Sequence, residues 1–448
     1  MKRPSDLALH VRETVKLAIP VMLARAGFII MVTVDTIMTG QVSAQMLAHY
    51  GISMAPHITV LVIGIGLMAA TTILSAQAKG ARRERDIGAI WRNALVIAAL
   101  LGLLTGSLLS YGEEILLLLG QSNELAVAGG AAVRAFAWGL PGLFLFLACA
   151  FFLEGIGRPQ IGMVITLSGN LVNAGVNWLL IEGHWGFPAM GAAGAAMGTT
   201  VTRWVMFAAI LFYLLVLMRD RDAFGLLGRS LPLKVAVKQL KLGLPLALSV
   251  GLQTAALAAL ATFAGWLGDR DLAAFQIANN VVAFLFMLSI GMANATSVRV
   301  ANAVGRGDQT ARVTAGLVGL GLILCLQVIL AAAIEIFPSL LARVYTTEAA
   351  VLALAVPAFF WVGLTVVADG SQAVLQGALR AMGQVWVPLA IYFASYWLFM
   401  VPLGYLLAYR WGWGVEGLLA ALFLGYALAA VAMAFRFRIT ALREVKPL

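Results

Sequence analysis

The sequence predicts an all-α integral membrane protein of twelve transmembrane helices, built as two six-helix lobes related by a pseudo-twofold axis along the membrane normal. Three observations lead there. Of 448 residues, 62% are hydrophobic and 11% charged, whereas an average soluble chain carries roughly 25% charge. Apolar runs on the order of 20 residues, the length that crosses a bilayer, recur along the whole chain. Finally, Lys16-Leu17-Ala18-Ile19-Pro20 returns as Lys241-Leu242-Gly243-Leu244-Pro245, and the offset of 225 residues then holds without a gap for 65 positions and 15 identities. A duplicated module in so apolar a chain is the architecture of secondary transporters, whose sites form near the bilayer midplane at the interface of the repeats.

The spans follow at 15–39, 48–75, 93–119, 131–153, 161–182, 191–217, 239–264, 272–298, 313–337, 350–376, 386–409 and 415–436. Their lengths fit helices, since barrel strands need about 10 residues of alternating polarity. Residues 1–14 read as a short interfacial lead-in to the first span. Pro20 and Pro245 bend or start the first and seventh spans at equivalent places, an architectural role. In the second and eighth spans, Leu47-Ala48 meets Leu272-Ala273, Ile65-Gly66 meets Ile290-Gly291, and Gly80 meets Gly305. The third and ninth rest on run length alone. Glu154-Gly155-Ile156-Gly157-Arg158 after the fourth span resembles Gln376-Gly377-Ala378-Leu379-Arg380 after the tenth. Gly191-Ala192-Ala193-Gly194 and Gly414-Val415-Glu416-Gly417 open the sixth and twelfth. Six spans per repeat return the chain to the same side, so the repeats insert in parallel. The expected organisation is a lobe at 1–217, a basic cytoplasmic linker at 218–238 and a second lobe at 239–448. The 46 glycines suit close contacts between helices in lipid.

The net charge of +10 records topology. With the N-terminus inside, and residues at span ends included, the cytoplasmic segments hold 24 Lys/Arg and the outer segments four: Arg134, Arg270, Arg343 and Arg410. Arg25 and Arg203 lie within spans. The positive-inside rule then puts both termini in the cytoplasm and argues against a nucleic-acid partner. Cys149 and Cys325 both sit in apolar spans, which speaks against a disulfide framework. The first apolar stretch is full length and followed by eleven more, unlike a cleavable signal. The sequence holds no P-loop and no metal, nucleotide or nucleophile constellation. It therefore reads as neither an enzyme nor an ATP-driven pump, with no cofactor.

Asp35 and Asp369 are the two carboxylates well inside spans. A charge at mid-bilayer costs at least ~2.5–3.5 kcal/mol on insertion scales, which makes such residues functional candidates. The repeat pairs Asp35 with Leu260, and an offset of 222 pairs Asp369 with Leu147, so each acid was placed separately. A structural ion pair with Arg25 or Arg203 is the bland alternative. On the tenth span, Thr365, Asp369, Gln372, Gln376 and Arg380 form one polar stripe. On the fifth, Thr166, Asn170, Asn173 and Asn177 form another. In lipid such faces turn inward, onto a cavity or onto another helix. Ser249 and Gln253 on the seventh span, with Gln276, Asn279 and Asn280 on the eighth, are neutral groups able to orient a ligand or ion. Phe360, Trp361, Tyr392, Tyr396 and Trp397 are aromatic faces on which a planar cation can stack. His49 and His57 flank the start of the second span and read as ordinary polar residues.

Taken together, these residues resemble the multidrug and toxic compound extrusion (MATE) family, in its bacterial NorM-like branch. The resemblance covers essentially the whole chain. It is carried by Val34-Asp35-Thr36-Ile37-Met38-Thr39-Gly40, Gly243-Leu244-Pro245, Asn177-Trp178-Leu179-Leu180-Ile181, Gly191-Ala192-Ala193-Gly194-Ala195-Ala196, and Asp369 leading into Gln376-Gly377-Ala378-Leu379-Arg380-Ala381-Met382-Gly383. It implies a multi-pass inner-membrane protein, monomeric in membrane lipid, that exports small organic cations in exchange for sodium or protons. The family pattern places acids on helices 1, 7 and 10. Asp35 and Asp369 fill the first and third positions, while Gln253 stands where the family commonly has Glu. That departure either leaves a weaker ion site on Asp369, with sodium as its candidate metal, or moves coupling towards Asp35. The expected division makes Asp369 the shared or coupled site and Asp35 the switch of the N-terminal lobe. A lipid-linked oligosaccharide flippase of the same superfamily is the alternative, kept open by Arg25 and Arg203; a membrane protein without transport is the more distant one.

Overall fold

The computed structural model describes residues 4–443, 445 and 448, with side chains from Leu7 onward. The expected cytoplasmic cations Lys2, Arg3 and Lys446 lie outside the described residues. Twelve helices are long and apolar enough to cross a membrane. They are α1 (Leu7–Val42), α2 (Ala44–Gly80), α3 (Glu84–Leu109), α4 (Asn123–Gly155), α5 (Pro159–Ile181), α6 (Gly191–Leu217), α7 (Leu233–Leu267), α8 (Asp269–Gly305), α9 (Gln309–Ile336), α10 (Ala349–Ala381), α11 (Trp386–Arg410) and α12 (Gly414–Ala441). The described residues contain no strand.

Most helices outrun their apolar stretches because polar end turns continue the helix, and a few start on a side-chain cap. Ser43 separates α1 from α2, accepting the Met46 amide on its hydroxyl at 3.1 Å, and Asp308 caps α9 through the Ala311 amide at 2.8 Å; both satisfy orphan first-turn donors. The expected third span is corrected. α3 stops at Leu109, and a separate short helix, Gly112–Leu118, precedes α4. Tyr111 leaves helical geometry at φ −88°, ψ 42°. Gly112 packs so tightly that a Cβ there would lie 2.7 Å from the Gly130 carbonyl oxygen. Beyond α9, a second short helix, Pro338–Tyr345, begins on a proline suited to a first helical turn.

The sequence echoes recur as equivalent backbone contacts. Gly191 and Gly414 open α6 and α12, each at φ +55°, a left-handed conformation that favours glycine. Three residues on, a Cβ at Gly194 would press on the Leu180 carbonyl oxygen at 2.5 Å, and one at Gly417 on the Leu407 carbonyl carbon at 2.8 Å. Each glycine seats its helix against the end of the preceding one. Likewise a Cβ at Gly155 would lie 2.7 Å from the Thr72 carbonyl oxygen of α2, and one at Gly377 2.6 Å from the Ala293 carbonyl oxygen of α8. The echo is imperfect, because α4 ends at Gly155 while α10 runs on to Ala381.

The chain forms two compact units. One comprises residues 23–247; the other joins residues 1–22 to residues 248–448. These cuts fall within α1 and α7, away from the 218–238 stretch expected as the joint. The reason lies in the packing of two half-helices. In the first unit the start of α7 lies on α2, where a Cβ at Gly66 would meet Ala247 Cα at 2.5 Å. In the second, the start of α1 lies on α8, where a Cβ at Gly291 would meet Met22 Cγ at 2.3 Å. Both glycines and both partners stand 225 residues apart, so the exchange follows the repeat. The stretch before α7 packs within the first unit: Arg92 of α3 donates to the carbonyls of Gly225, Leu226 and Ser230. The core of that unit is α4, with 83% of its most apolar window buried; it is a central post rather than a lipid-facing wall.

Candidate functional site

Asp35 lies near the C-terminal end of α1 and is 1% exposed. Three neutral donors from three helices converge on it. Asn177 of α5 donates from Nδ2 to Oδ1 at 2.6 Å. Thr199 of α6 donates to Oδ2 at 2.6 Å, and Tyr50 of α2 donates to the same oxygen at 3.0 Å. Behind them, Asn173 donates to the Thr199 hydroxyl at 3.3 Å and accepts from Asn177 at 3.4 Å. Gly198 leaves room for this arrangement, since a Cβ there would fall 2.0 Å from Asn177 Oδ1. That oxygen is buried and has no hydrogen-bond partner. Asp35 is thus one buried negative charge satisfied by neutral hydroxyl and amide donors.

The α5 stripe divides in two. Asn173 and Asn177 reach the Asp35 cluster, while Thr166 and Asn170 turn back on the carbonyls one turn earlier, at 2.8 and 2.9 Å. The ion-pair alternative for Asp35 is not what forms. Arg25 pairs with Glu154 at 3.2 Å and stacks over Phe151 at 4.9 Å, and Arg203 bonds to His57 at 2.9 Å. Among the described residues no cation lies within ion-pair distance of Asp35.

Asp369, midway along α10 and 2% exposed, has a sparser setting. Gln372, one turn on, donates to Oδ1 at 3.1 Å and accepts from Tyr396 of α11 at 2.7 Å. Tyr396 stands in a π-helical stretch of α11, a local widening often found at functional sites. It stacks on Tyr392 with centroids 4.9 Å apart and tilts against Tyr426 of α12 at 5.3 Å. Ser289 of α8 lies beside Asp369 and accepts from Gln327 of α9 at 2.8 Å. Thr365, one turn before Asp369, has a buried hydroxyl without a partner.

The remaining candidates divide similarly. Gln253 donates to the Tyr426 hydroxyl at 3.3 Å, joining the Asp369 group through the tyrosines rather than directly. Gln276 and Asn280 of α8 are exposed and Asn279 is half-buried. Asn280 accepts from Tyr345 at 2.9 Å, and Ser289 is the α8 residue that reaches the acid. Of the aromatics, Tyr392 and Tyr396 belong to the cluster. Trp361 packs on Leu407, Ala420 and Ala421, Trp397 donates to the Leu252 carbonyl, and Phe360 is exposed. Sequence reasoning missed Tyr50, Thr199, Ser289, Gln327 and Tyr426. Each is a single hydroxyl or amide in an apolar helix, and only Tyr50 and Tyr426, bulky phenols needing a buried partner, carried a usable signal.

A duplicated, all-helical membrane chain with isolated buried carboxylates held by neutral donors has the make-up of a secondary carrier. Comparison with known proteins gives the family. The MatE family matches twice, over residues 20–179 and 245–406, and its two starting points stand at the repeat offset. The chain is 32% identical over 437 residues to a probable multidrug resistance protein NorM from Caulobacter vibrioides, covering 97% of this chain and 92% of that one. Its fold matches a eukaryotic MATE transporter, AtDTX14, with a TM-score of 0.88 at 18% identity, over 97% of this chain and 96% of the other. It also matches an outward-facing multidrug resistance MATE family transporter of the MOP superfamily, with a TM-score of 0.88 at 20% identity over 96% of each. The chain belongs to the MatE family: it is a multi-pass membrane transporter, not an enzyme.

Proposed function

We propose that this protein exports small organic cations across the bacterial inner membrane by cation-coupled antiport, with alternating access between its two six-helix lobes and both termini in the cytoplasm. The observation that carries the reading is Asp35: a buried carboxylate, held by three neutral donors and without a fixed counter-cation. A bare carboxylate in apolar surroundings is costly unless it is hydrogen-bonded or neutralised. A proton or sodium ion arriving there changes what it costs to move the surrounding helices through hydrocarbon. If a cationic substrate and the coupling ion need the same carboxylate, they exclude one another, and exchange becomes obligatory.

Asp369, with Thr365, Gln372, Gln253 and the tyrosines, is the shared or coupled site in this reading. Tyr392 and Tyr396, buried and stacked on one another here, offer faces to a planar organic cation only once the helices around them move apart. Asp35, with Asn173, Asn177 and Thr199, is the switch of the other lobe. The names of the NorM relatives support drug efflux. Burial of Arg25 against Glu154 and of Arg203 against His57 favours this reading over a flippase for diphosphate lipids, which needs cationic groups open to its substrate.

The test is efflux of a fluorescent dye cation from proteoliposomes under an imposed sodium gradient or an imposed proton gradient, applied separately. Transport driven by either gradient, and lost in Asp35→Asn and Asp369→Asn, is expected. Transport that ignores both gradients, or that both variants leave intact, would refute the coupling.

A further inference from the structure

One buried cation in the 23–247 unit has no anionic partner. Arg203 of α6, 7% exposed, lies one turn beyond Thr199, the residue that donates to Asp35. Its guanidinium donates to Nε2 of His57, 1% exposed, at 2.9 Å. Arginine has no acceptor, so Nε2 is the accepting nitrogen; the imidazole is neutral, with its proton on Nδ1. His57 lies two turns beyond Tyr50 on α2, and both rings pack on Phe136 of α4, at centroid distances of 4.4 and 6.0 Å. The Arg203 guanidinium lies over that same ring at 5.7 Å. Phe136 thus ties Arg203 and His57 to the wall of the Asp35 cluster.

The other groups around Arg203 do not neutralise it. α1 contributes Asp35, α2 contributes Tyr50 and neutral His57, and α5 contributes neutral Asn173 and Asn177. α4 presents Phe136, and its own charged groups are engaged elsewhere: Arg134 with Glu113 at 3.9 Å, Glu154 with Arg25, and Glu124 with Gln45. Among the described residues no carboxylate comes within ion-pair distance of Arg203, and its Nη1 is buried without a partner. Asp35 and Arg203 are therefore a separated pair of opposite charges in one low-dielectric region. A proton or metal ion on Asp35 cancels the carboxylate and leaves Arg203 uncompensated.

We propose that Arg203, held in place by His57, is an internal counter-charge that weakens cation binding at Asp35 and so sets the concentration at which the coupling ion is released there. Arg203 is a positioning residue for coupling: it acts on the ion through the field at Asp35 and does not touch it. The inference rests on Asp35 as a coupling carboxylate. At the effective dielectric of protein sites, a unit charge a turn or two of helix away changes ion affinity about tenfold or more.

The experiment measures thermal stabilisation of the full-length protein in detergent against pH and against added sodium, since an ion that binds the folded state raises its melting temperature. Dye efflux in proteoliposomes is followed in parallel. Arg203→Gln is expected to strengthen ion binding about tenfold. The pH midpoint then moves about one unit alkaline, or half-saturating sodium falls about tenfold. Arg203→Lys, which keeps the charge, is expected to keep the wild-type midpoint. In Asp35→Asn, adding Arg203→Gln is expected to change no ion dependence. If Arg203→Gln does not fold, Arg203→Met, closer in volume, takes its place. An unchanged midpoint in a folded Arg203 variant, or an equal shift in the Asp35→Asn background, overturns the inference. If instead Asp35→Asn alone leaves ion dependence intact, the assignment of Asp35 has failed.

Discussion

The two buried acids of this protein are held in opposite ways. Asp35 sits at the meeting of four helices and receives three donors on its two oxygens, two of them at 2.6 Å. Asp369 receives a 3.1 Å bond from a glutamine on its own helix and support from Ser289, and the rest of its surroundings are aromatic. The first carboxylate has its charge carried by preorganised dipoles. The second has fewer dipoles and a set of π faces, so a mobile cation has more to offer it. Their repeat partners, Leu260 and Leu147, are both fully buried. The duplicated scaffold therefore supplied two equivalent lobes, each of which was polarised with different chemistry.

The largest expected effect is on transport. Asp35→Asn and Asp369→Asn are each expected to lower gradient-driven dye efflux by about 100-fold or more, the loss that follows when a mechanism's essential proton- or ion-binding group is removed. Efflux retained in one variant alone would assign coupling to the other acid. Stability should separate the sites further. Asp35→Ala strands the donors of Asn177, Thr199 and Tyr50 and is expected to cost ~3–5 kcal/mol, whereas Asp369→Ala, freeing fewer donors, should cost about half as much. Equal shifts in melting temperature would erase the contrast.

Gly198→Ala places a methyl 2.0 Å from Asn177 Oδ1 and must move the amide off Asp35, so it is expected to cost about 1–3 kcal/mol and to weaken ion-induced stabilisation. Gly370→Ala meets the side chains of Ile323 and Gln327 at 2.8 and 2.9 Å, which can shift more easily, and should cost less than Gly198→Ala. The smallest effect is expected from Gln253→Glu, which places a carboxylate beside Tyr426. It should leave the fold intact and increase sodium dependence several-fold, an order-of-magnitude expectation for one added charge near a partly buried site. Unaltered sodium dependence would show that α7 has no part in the ion site.

Much of the architecture could be read in the sequence. Bilayer thickness fixes span length, so apolar runs located twelve helices, and the spacing of Gly191 and Gly414 matched two helix starts that need positive φ. Run length misses the break after α3 although Ser110-Tyr111-Gly112-Glu113-Glu114 interrupts the apolar run, because the leucines on both sides extend it across the interruption. The close packing of Gly112 on α4 accompanies the turn. The site was half legible. A carboxylate in hydrocarbon declares itself by its cost, and the asparagines declare themselves by helical spacing; these two signals found Asp35, Asp369, Asn173 and Asn177. Tyr50, Thr199 and Ser289 come from helices distant in sequence, and their roles depend on which face each helix turns inward.

By itself, then, the sequence determined what this chain is dissolved in, how often it crosses, that it is duplicated and which two acids stand inside, because each of these follows from local composition and periodicity. Tertiary structure alone decided the partners: Arg25 with Glu154, Arg203 with His57, three donors on Asp35, and the exchange of half-helices between the packing units. Those choices depend on rotation about helix axes and on sub-ångström fit at glycines, quantities that arise only when helices meet.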